Sequence, residues 1–169
     1  MSFVKPDTPT THFTLVHISD FHICRPADSP ARLFVNKRFF SRMSWYLHRR
    51  QGHRPEVLSA LIRAVRRVEA DLIAVTGDLT QLALPGEFKH ARACLEELGP
   101  PENVFVIPGN HDALVAAAWE ESFAHWADYM AADAPDPGGR PVYPAARVRG
   151  AVAVFGLTTA HPTRVFSAA

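Results

Sequence analysis

The sequence predicts an α/β protein built around a parallel sheet. Two observations lead to this class: short apolar runs alternate with segments of helical periodicity, and each apolar run ends abruptly at polar residues. The order strand, helix, strand, helix, strand implies right-handed crossovers between parallel neighbours. A chain of 169 residues can bury about two thirds of its unfolded surface, which is enough for one domain.

The elements of this sheet can be assigned along the chain. Strands are predicted at 13–18, 72–76 and 104–107, where the apolar runs are too short for helices. The second run is apolar on both faces, which is typical of a parallel strand covered on both sides. A helix is predicted from Pro55, since proline suits a first helical turn and apolar residues follow at helical spacing. A second helix is predicted at 86–98, because a glycine and two prolines follow it.

The last third of the chain predicts one more helix and a hairpin. Aromatic and apolar residues recur at i, i+4, i+7 and i+11, which predicts an amphipathic helix with a buried aromatic face; they are Trp119, Phe123, Trp126 and Met130. The stretch that follows reads as two strands joined around Arg149 and Gly150.

The composition is that of an ordinary folded protein. It is 47% hydrophobic and 21% charged with a net charge of +1, which excludes a disordered chain and a globally basic one. Cys24 and Cys94 lack the paired spacing of a disulfide framework or a thiolate zinc site. No segment reaches the roughly 20 apolar residues needed to span a bilayer, and we expect a cytoplasmic location.

Polar side chains follow all three predicted strands at their carboxyl ends. Each cluster alone is typical of a solvated turn, but ligands of open α/β sheets bind beyond this edge. Carboxylates brought together there repel unless a cation lies between them. Oxygen and imidazole donors without thiolate favour Mn²⁺, Fe or Zn²⁺ over Mg²⁺. The residues are Asp20 and His22, then Asp78, then Asn110, His111 and Asp112.

Three motifs carry a resemblance to a known family. DFH at 20–22, GDL at 77–79 and GNHD at 109–112 resemble the first three signature blocks of the calcineurin-like metallophosphoesterases. The neighbouring HISD, AVTGDLT and VIPGNHD are similar to the branch that contains cyclic-nucleotide and related phosphodiesterases. The resemblance runs from about Phe13 to Thr158. It implies a metallophosphoesterase-type four-layer α/β/β/α sandwich and metal-dependent hydrolysis of phosphodiesters or phosphomonoesters.

The resemblance also implies two divalent metal ions and their ligands. Asp20 and His22 would hold the first ion, Asp78 would bridge both ions, and Asn110 would bind the second. Two such cations can clamp the attacking and leaving oxygens of a phosphate ester. They also lower the pKa of coordinated water toward about 7, which supplies hydroxide at neutral pH.

Two further residues would act on the phosphate, and the pattern then departs from the family. By resemblance, His111 would face the phosphate as a proton donor and Asp112 would orient it, a role that suits histidine near neutral pH. The family continues with a further histidine and a Gly-His-x-His block, whereas this chain offers only His161 in a setting that does not match. We therefore expect an incomplete second metal site. We also expect a single partial domain over 1–169, truncated after the first sheet and the start of the second or completed as a homo-oligomer.

A segment without acidic residues, from Ser29 to Pro55, interleaves cations with aromatic side chains. Such a pattern can bind nucleic acid or an anionic membrane. It is also typical of a helical insertion whose aromatics pack on the sheet while its cations flank a phosphate site, which we favour. The cations are Arg32, Lys37, Arg38, Arg42, Arg49, Arg50 and Arg54.

Three functions are open at this point. The first, which we favour, is a dinuclear metallohydrolase acting on a phosphate ester. The second is a catalytically impaired fragment that binds one metal ion or none. The third is a binding module that uses residues 29–55 on nucleic acid or membrane.

Overall fold

The computed structural model describes residues 12–25, 38–39, 43, 55–134 and 138–162. The elements within these ranges follow the predicted order, and the α/β class is confirmed. None of the helices in these ranges is both long enough and apolar enough to cross a bilayer.

A three-stranded parallel sheet forms the centre of the fold. Its strands are β1 (Leu15–Ile18), β2 (Leu72–Thr76) and β3 (Val104–Ile107), in the order β1-β2-β3. The bounds of β2 and β3 are those predicted, and β1 begins two residues later than expected. Strand β1 lies at the edge of the described sheet and is partly exposed: His17 is exposed, and its Nε2 lies 2.7 Å from Thr76 Oγ1.

Within the described part of the chain, two helices cover one face of this sheet, where the main core lies. They are α1 (Pro55–Arg66) and α2 (Pro85–Leu98). Both begin at a proline, whose fixed φ and missing N–H suit the first helical turn. The sheet side chains that face them include Val75, Val104 and Val106, each fully buried.

A β-hairpin packs against the opposite face. Its strands, β4 (Ala145–Arg149) and β5 (Val152–Gly156), pair antiparallel across a two-residue turn in which Gly150 has a φ of 59°, so the predicted hairpin is confirmed. Phe105 of β3 lies in a small core beneath it. The buried guanidinium of Arg147 lies 4.5 Å from the centroid of the Phe105 ring. The described residues therefore form three layers: helices, parallel sheet and hairpin.

The predicted aromatic helix is not continuous. Two short 3-10 helices, Trp119–Glu121 and Phe123–Trp126, precede the one-turn helix α3 (Ala127–Met130). Ser122 interrupts them with a φ of −134° and a ψ of −111°, and its Oγ donates to the carbonyl of Ala118 at 2.7 Å. The periodicity identified the buried face correctly, but local hydrogen bonding by serine breaks the helix.

Candidate active site

The three strand exits lie side by side at one edge of the sheet. Parallel pairing with β2 in the middle brings the ends of β1 and β3 to its two sides. Pairing also continues past the strands: the N–H of Asp20 donates to Gly77 at 3.1 Å, and that of His22 donates to Asp78 at 2.9 Å. The predicted convergence of the first two clusters is thus built by backbone hydrogen bonds.

Three of the predicted site residues adopt unfavourable backbone conformations. The φ angles of Asp20, His22 and Asp78 are 61°, 47° and 53°, in the left-handed region. Non-glycine residues occupy this region at a cost of order 1–3 kcal/mol each, and they do so where the surrounding structure holds them. Residues in this conformation cluster at functional sites, and these three lie at the same edge of the sheet.

Two glycines allow the loop that follows β2 to contact the loop that follows β3. A Cβ at Gly77 would lie 2.3 Å from the backbone nitrogen of Gly109, and a Cβ at Gly109 would lie 2.2 Å from Asp78 Oδ1. Neither position has space for a methyl group. The two glycines therefore let the loops that follow β2 and β3 pack against each other.

A compact group of potential metal ligands lies at this junction. One ligand atom from each of His22, Asp78 and His111 lies within 4.8 Å of the others. The two imidazole rings meet edge to face with centroids 4.8 Å apart, and Asp78 Oδ1 accepts the backbone N–H of His111 at 2.9 Å. Two imidazoles and one carboxylate form a donor set that suits a divalent transition metal. His111, predicted as a proton donor, therefore lies among the predicted ligands.

The other two predicted ligands are more exposed. Asp20 lies outside the group of three; its Oδ1 is 3.3 Å from His22 Nε2, and its side chain is 61% exposed. Ser19 Oγ donates to its second oxygen at 2.5 Å. Asn110, next to His111 in the chain, is also exposed. The structure thus gathers His22 and Asp78 and leaves Asp20 and Asn110 at the solvent side of the same loops.

The surroundings of His22 favour its neutral form. Burial lowers the pKa of this imidazole and the nearby His111 lowers it further, while Asp78 and Asp20 act in the opposite direction. A neutral imidazole is the form that coordinates a metal ion.

Asp112 has a different role from the predicted one. It is almost fully buried, and its carboxylate accepts from the N–H and the hydroxyl of Thr80, at 2.8 and 2.9 Å, and from the N–H of Gly109 at 2.9 Å. These hydrogen bonds join the exits of β2 and β3. Burial raises the pKa of Asp112 to about 6, an effect that the three hydrogen bonds oppose. The expectation that Asp112 orients His111 is corrected: it fixes the loop that carries His111.

The ring of His111 is oriented by Gln81 instead. His111 Nδ1 lies 2.8 Å from the backbone carbonyl oxygen of Gln81, which can only accept, so Nδ1 carries the proton. The side-chain nitrogen of Gln81 is 3.4 Å from the same atom, too far for a good hydrogen bond. Nε2 is therefore the ring nitrogen of His111 that remains for a ligand.

Sequence reasoning missed the residues that hold this loop. Glu87, fully buried in the first turn of α2, accepts the N–H of Leu82 at 2.8 Å and that of Leu84 at 3.2 Å. A glutamate at the third position of a helix, reaching back to the residue before it, is a known capping pattern that could have pointed to Glu87. No local signal identifies Gln81, because its role depends on its carbonyl group.

The remaining sequence candidates do not belong to the group of potential ligands or lie outside the described residues. His161 is exposed, and its Nδ1 lies 2.8 Å from the carbonyl of Thr159. Of the basic aromatic segment at 29–55, the structure describes Arg38, Phe39, Met43 and the final proline. Arg38 is buried and donates to the carbonyls of the loop before α2, so this cation fixes a loop. The other cations of the segment lie outside the described residues.

Comparison with known proteins agrees with the geometry. The family model of the calcineurin-like phosphoesterases matches residues 13–159, which include all three strand exits and the hairpin. No curated protein matches the chain significantly. The family match covers well over half of the chain, and its members use divalent metals to hydrolyse phosphate esters. The chain therefore belongs to the calcineurin-like phosphoesterases.

Proposed function

We propose that this protein is a metal-dependent phosphoesterase that acts on phosphodiesters, as in the branch whose motifs its strand exits resemble. The observation that carries the proposal is the group formed by His22, Asp78 and His111 at the carboxyl edge of the sheet, with ligand atoms within 4.8 Å of one another. Left-handed backbone at Asp20, His22 and Asp78 supports it, because strain of this kind is held at functional sites.

The residues present fit a divalent metal. His22 and Asp78 would hold it, with Asp20 3.3 Å from His22 and Asn110 on the neighbouring loop. When bound, such an ion activates water and stabilises the charge that develops on a phosphate ester. We propose Mn²⁺, Fe or Zn²⁺ as the occupant, because the ligand set combines the imidazole of His22 with the carboxylate of Asp78.

In this proposal His111 supplies the proton that the leaving oxygen requires. Its Nδ1–H is held by the Gln81 carbonyl, so the protonated ring presents its second proton on Nε2. Asp112 holds the supporting turn through Gly109 and Thr80. The backbone N–H of His111 donates to Asp78 Oδ1, which links the proton donor to the ligand group.

Asp78→Asn tests the proposal. The protein with added Mn²⁺ should hydrolyse bis(para-nitrophenyl) phosphate, and Asp78→Asn should lower this rate by about 10³-fold or more, since the central carboxylate loses its charge. A matched control is Asp128→Asn, which changes an exposed aspartate paired with Arg92, remote from the strand exits. The control should retain wild-type activity.

Two outcomes would refute the assignment. Activity that survives Asp78→Asn would show that the reaction does not use this centre. One metal ion or none per chain, with no turnover of any aryl phosphate ester, would instead identify a non-catalytic member of the family. The specific ester, a cytoplasmic location and self-association stay predictions from the sequence, as do the completeness of the second metal site and the extent of the domain.

A further inference from the structure

A buried carboxylate lies behind His111, on the far side of a single peptide group. Glu87 Oε2 accepts the N–H of Leu82 at 2.8 Å. The carbonyl of the same peptide group belongs to Gln81, and its oxygen lies 2.8 Å from His111 Nδ1. The four groups form a continuous series: carboxylate, peptide N–H, peptide C=O and imidazole N–H.

We propose that Glu87 is a positioning residue for His111 and acts through the peptide group between Gln81 and Leu82. The proposal rests on the proposed function, in which His111 protonates the leaving oxygen. A carboxylate at the N–H end polarises the peptide, so its carbonyl becomes a stronger acceptor. A stronger acceptor holds the imidazole in the Nδ1–H tautomer and keeps Nε2 toward the site.

The burial of Glu87 makes this link effective. Its side chain is fully buried, and its second oxygen accepts the backbone N–H of Arg25 at 3.2 Å. Charge–dipole interactions are stronger at such a position than in water. Burial raises the pKa of Glu87 to about 7 against the effect of its backbone hydrogen bonds, so the carboxylate is ionised in mildly alkaline solution.

Arg38 provides a matched comparison on the same loop. Its Nε donates to the carbonyl of Leu82 at 2.9 Å and its Nη2 to that of Ala83 at 2.5 Å. Ala83 has a φ of 52°, so both Arg38 and Glu87 hold a turn that is unfavourable for alanine. Arg38 does not contact the peptide group between Gln81 and Leu82 in these hydrogen bonds. Loosening the turn through Arg38 should therefore not remove the polarisation of that peptide.

The test compares phosphodiesters with good and poor leaving groups. Loss of proton donation slows a phenyl ester more than a para-nitrophenyl ester, because phenoxide is the stronger base. Rates are measured with Mn²⁺ about one to two pH units above the pKa of Glu87, where the carboxylate is ionised. Glu87→Gln should slow the phenyl ester about tenfold more than the para-nitrophenyl ester, with unchanged metal content. Arg38→Lys, which keeps the positive charge, should leave the ratio of the two rates unchanged.

A double variant separates positioning from a general loss of structure. His111→Ala should change the same ratio, and adding Glu87→Gln to it should change the ratio no further, because both changes remove one function. An equal loss on both esters in Glu87→Gln would overturn the proposal. So would a double variant in which the two effects on the ratio multiply.

The tautomer of His111 can be measured even if Glu87→Gln does not fold. Nitrogen NMR of the wild-type histidine side chains, assigned with His111→Ala, should show His111 protonated on Nδ1. Protonation on Nε2 alone would mean that the peptide link is absent and would overturn the proposal. Absence of turnover by a wild-type protein with the Nδ1–H tautomer would refute the proposed function instead, so the two failures are distinguishable.

Discussion

The two sides of the candidate site are built differently. On the side of β2 and β3, the carboxylate of Asp112 is almost fully buried and joins Thr80 to Gly109 through three hydrogen bonds. On the side of β1, the side chain of Asp20 is 61% exposed, and the described contacts of its carboxylate are with Ser19 and His22, its near neighbours in the chain.

The comparison shows that carboxylates at this site have two different roles. A buried carboxylate with several backbone donors fixes a loop, because leaving those donors unpaired inside the protein is costly. An exposed carboxylate on left-handed backbone contributes little to folding and remains available to a ligand. A buried carboxylate therefore fixes the β2–β3 side, whereas backbone hydrogen bonds hold the β1 side and its carboxylate stays accessible to a ligand.

Asp112→Ala should produce the largest loss of stability. The change leaves the N–H groups of Thr80 and Gly109 and the Thr80 hydroxyl without their acceptor inside the protein, at a total cost of about 3 kcal/mol. Urea denaturation at neutral pH measures this loss. The control Asp128→Ala removes a partly exposed ion pair with Arg92 and should cost at most about 1 kcal/mol. Equal losses in the two variants would contradict the distinction between the two kinds of carboxylate.

The pH dependence of stability should reveal the second buried carboxylate, Glu87. Its pKa is raised from 4.5 to about 7, so between these values the folded protein holds a proton that the unfolded chain has lost. Stability from this proton is present at low pH and disappears as the pH rises toward 7. The free energy of unfolding of the wild type should therefore fall by up to about 3 kcal/mol relative to Glu87→Gln between about pH 4.5 and pH 7.

Denaturation of both proteins at several pH values measures this difference. Asp112, whose pKa is also raised, contributes in the same direction but is present in both proteins, so it cancels in the comparison. Parallel pH profiles would show that Glu87 ionises normally and is not desolvated as its position implies.

Asp20→Asn should have the smallest effect on stability and a clear effect on metal binding. Its exposed side chain should change the free energy of unfolding by no more than about 0.5 kcal/mol. The affinity for Mn²⁺ should fall by about tenfold or more, because a charged oxygen near His22 is lost. Calorimetric titration measures the affinity, with Asp133→Asn, an exposed aspartate on the hairpin side, as the control. Unchanged affinity would remove Asp20 from the ligand set.

Much of the fold followed from local patterns. The bounds of β2, β3 and the start of α1 were predicted from apolar runs and from a proline at a first helical turn. The prediction of one continuous aromatic helix was wrong, because periodicity reports which side chains share a buried face and not whether the backbone is continuous. The helical geometry is interrupted at Ser122. An apolar run also does not reveal whether a strand lies at the edge of a sheet, as the exposure of β1 illustrates.

The convergence of His22 and Asp78 was foreseeable, since the carboxyl ends of adjacent parallel strands lie at the same edge of the sheet for any conformation of the loops. The hydrogen-bond partners of the residues within the site could not be foreseen. Asp112 bonds Thr80 at a separation of 32 residues, and His111 meets the Gln81 carbonyl at a separation of 30. The family resemblance had paired Asp112 with its neighbour His111.

The sequence by itself determined the class of fold, the edge of the sheet at which the candidate site lies and the residue types available there, because these depend on periodicity and strand order. Only the tertiary structure decided which carboxylates are buried, which loop orients His111 and how Glu87 reaches it. Those choices depend on distances between backbone groups of separate loops, and such distances exist only once the sheet and helices have packed.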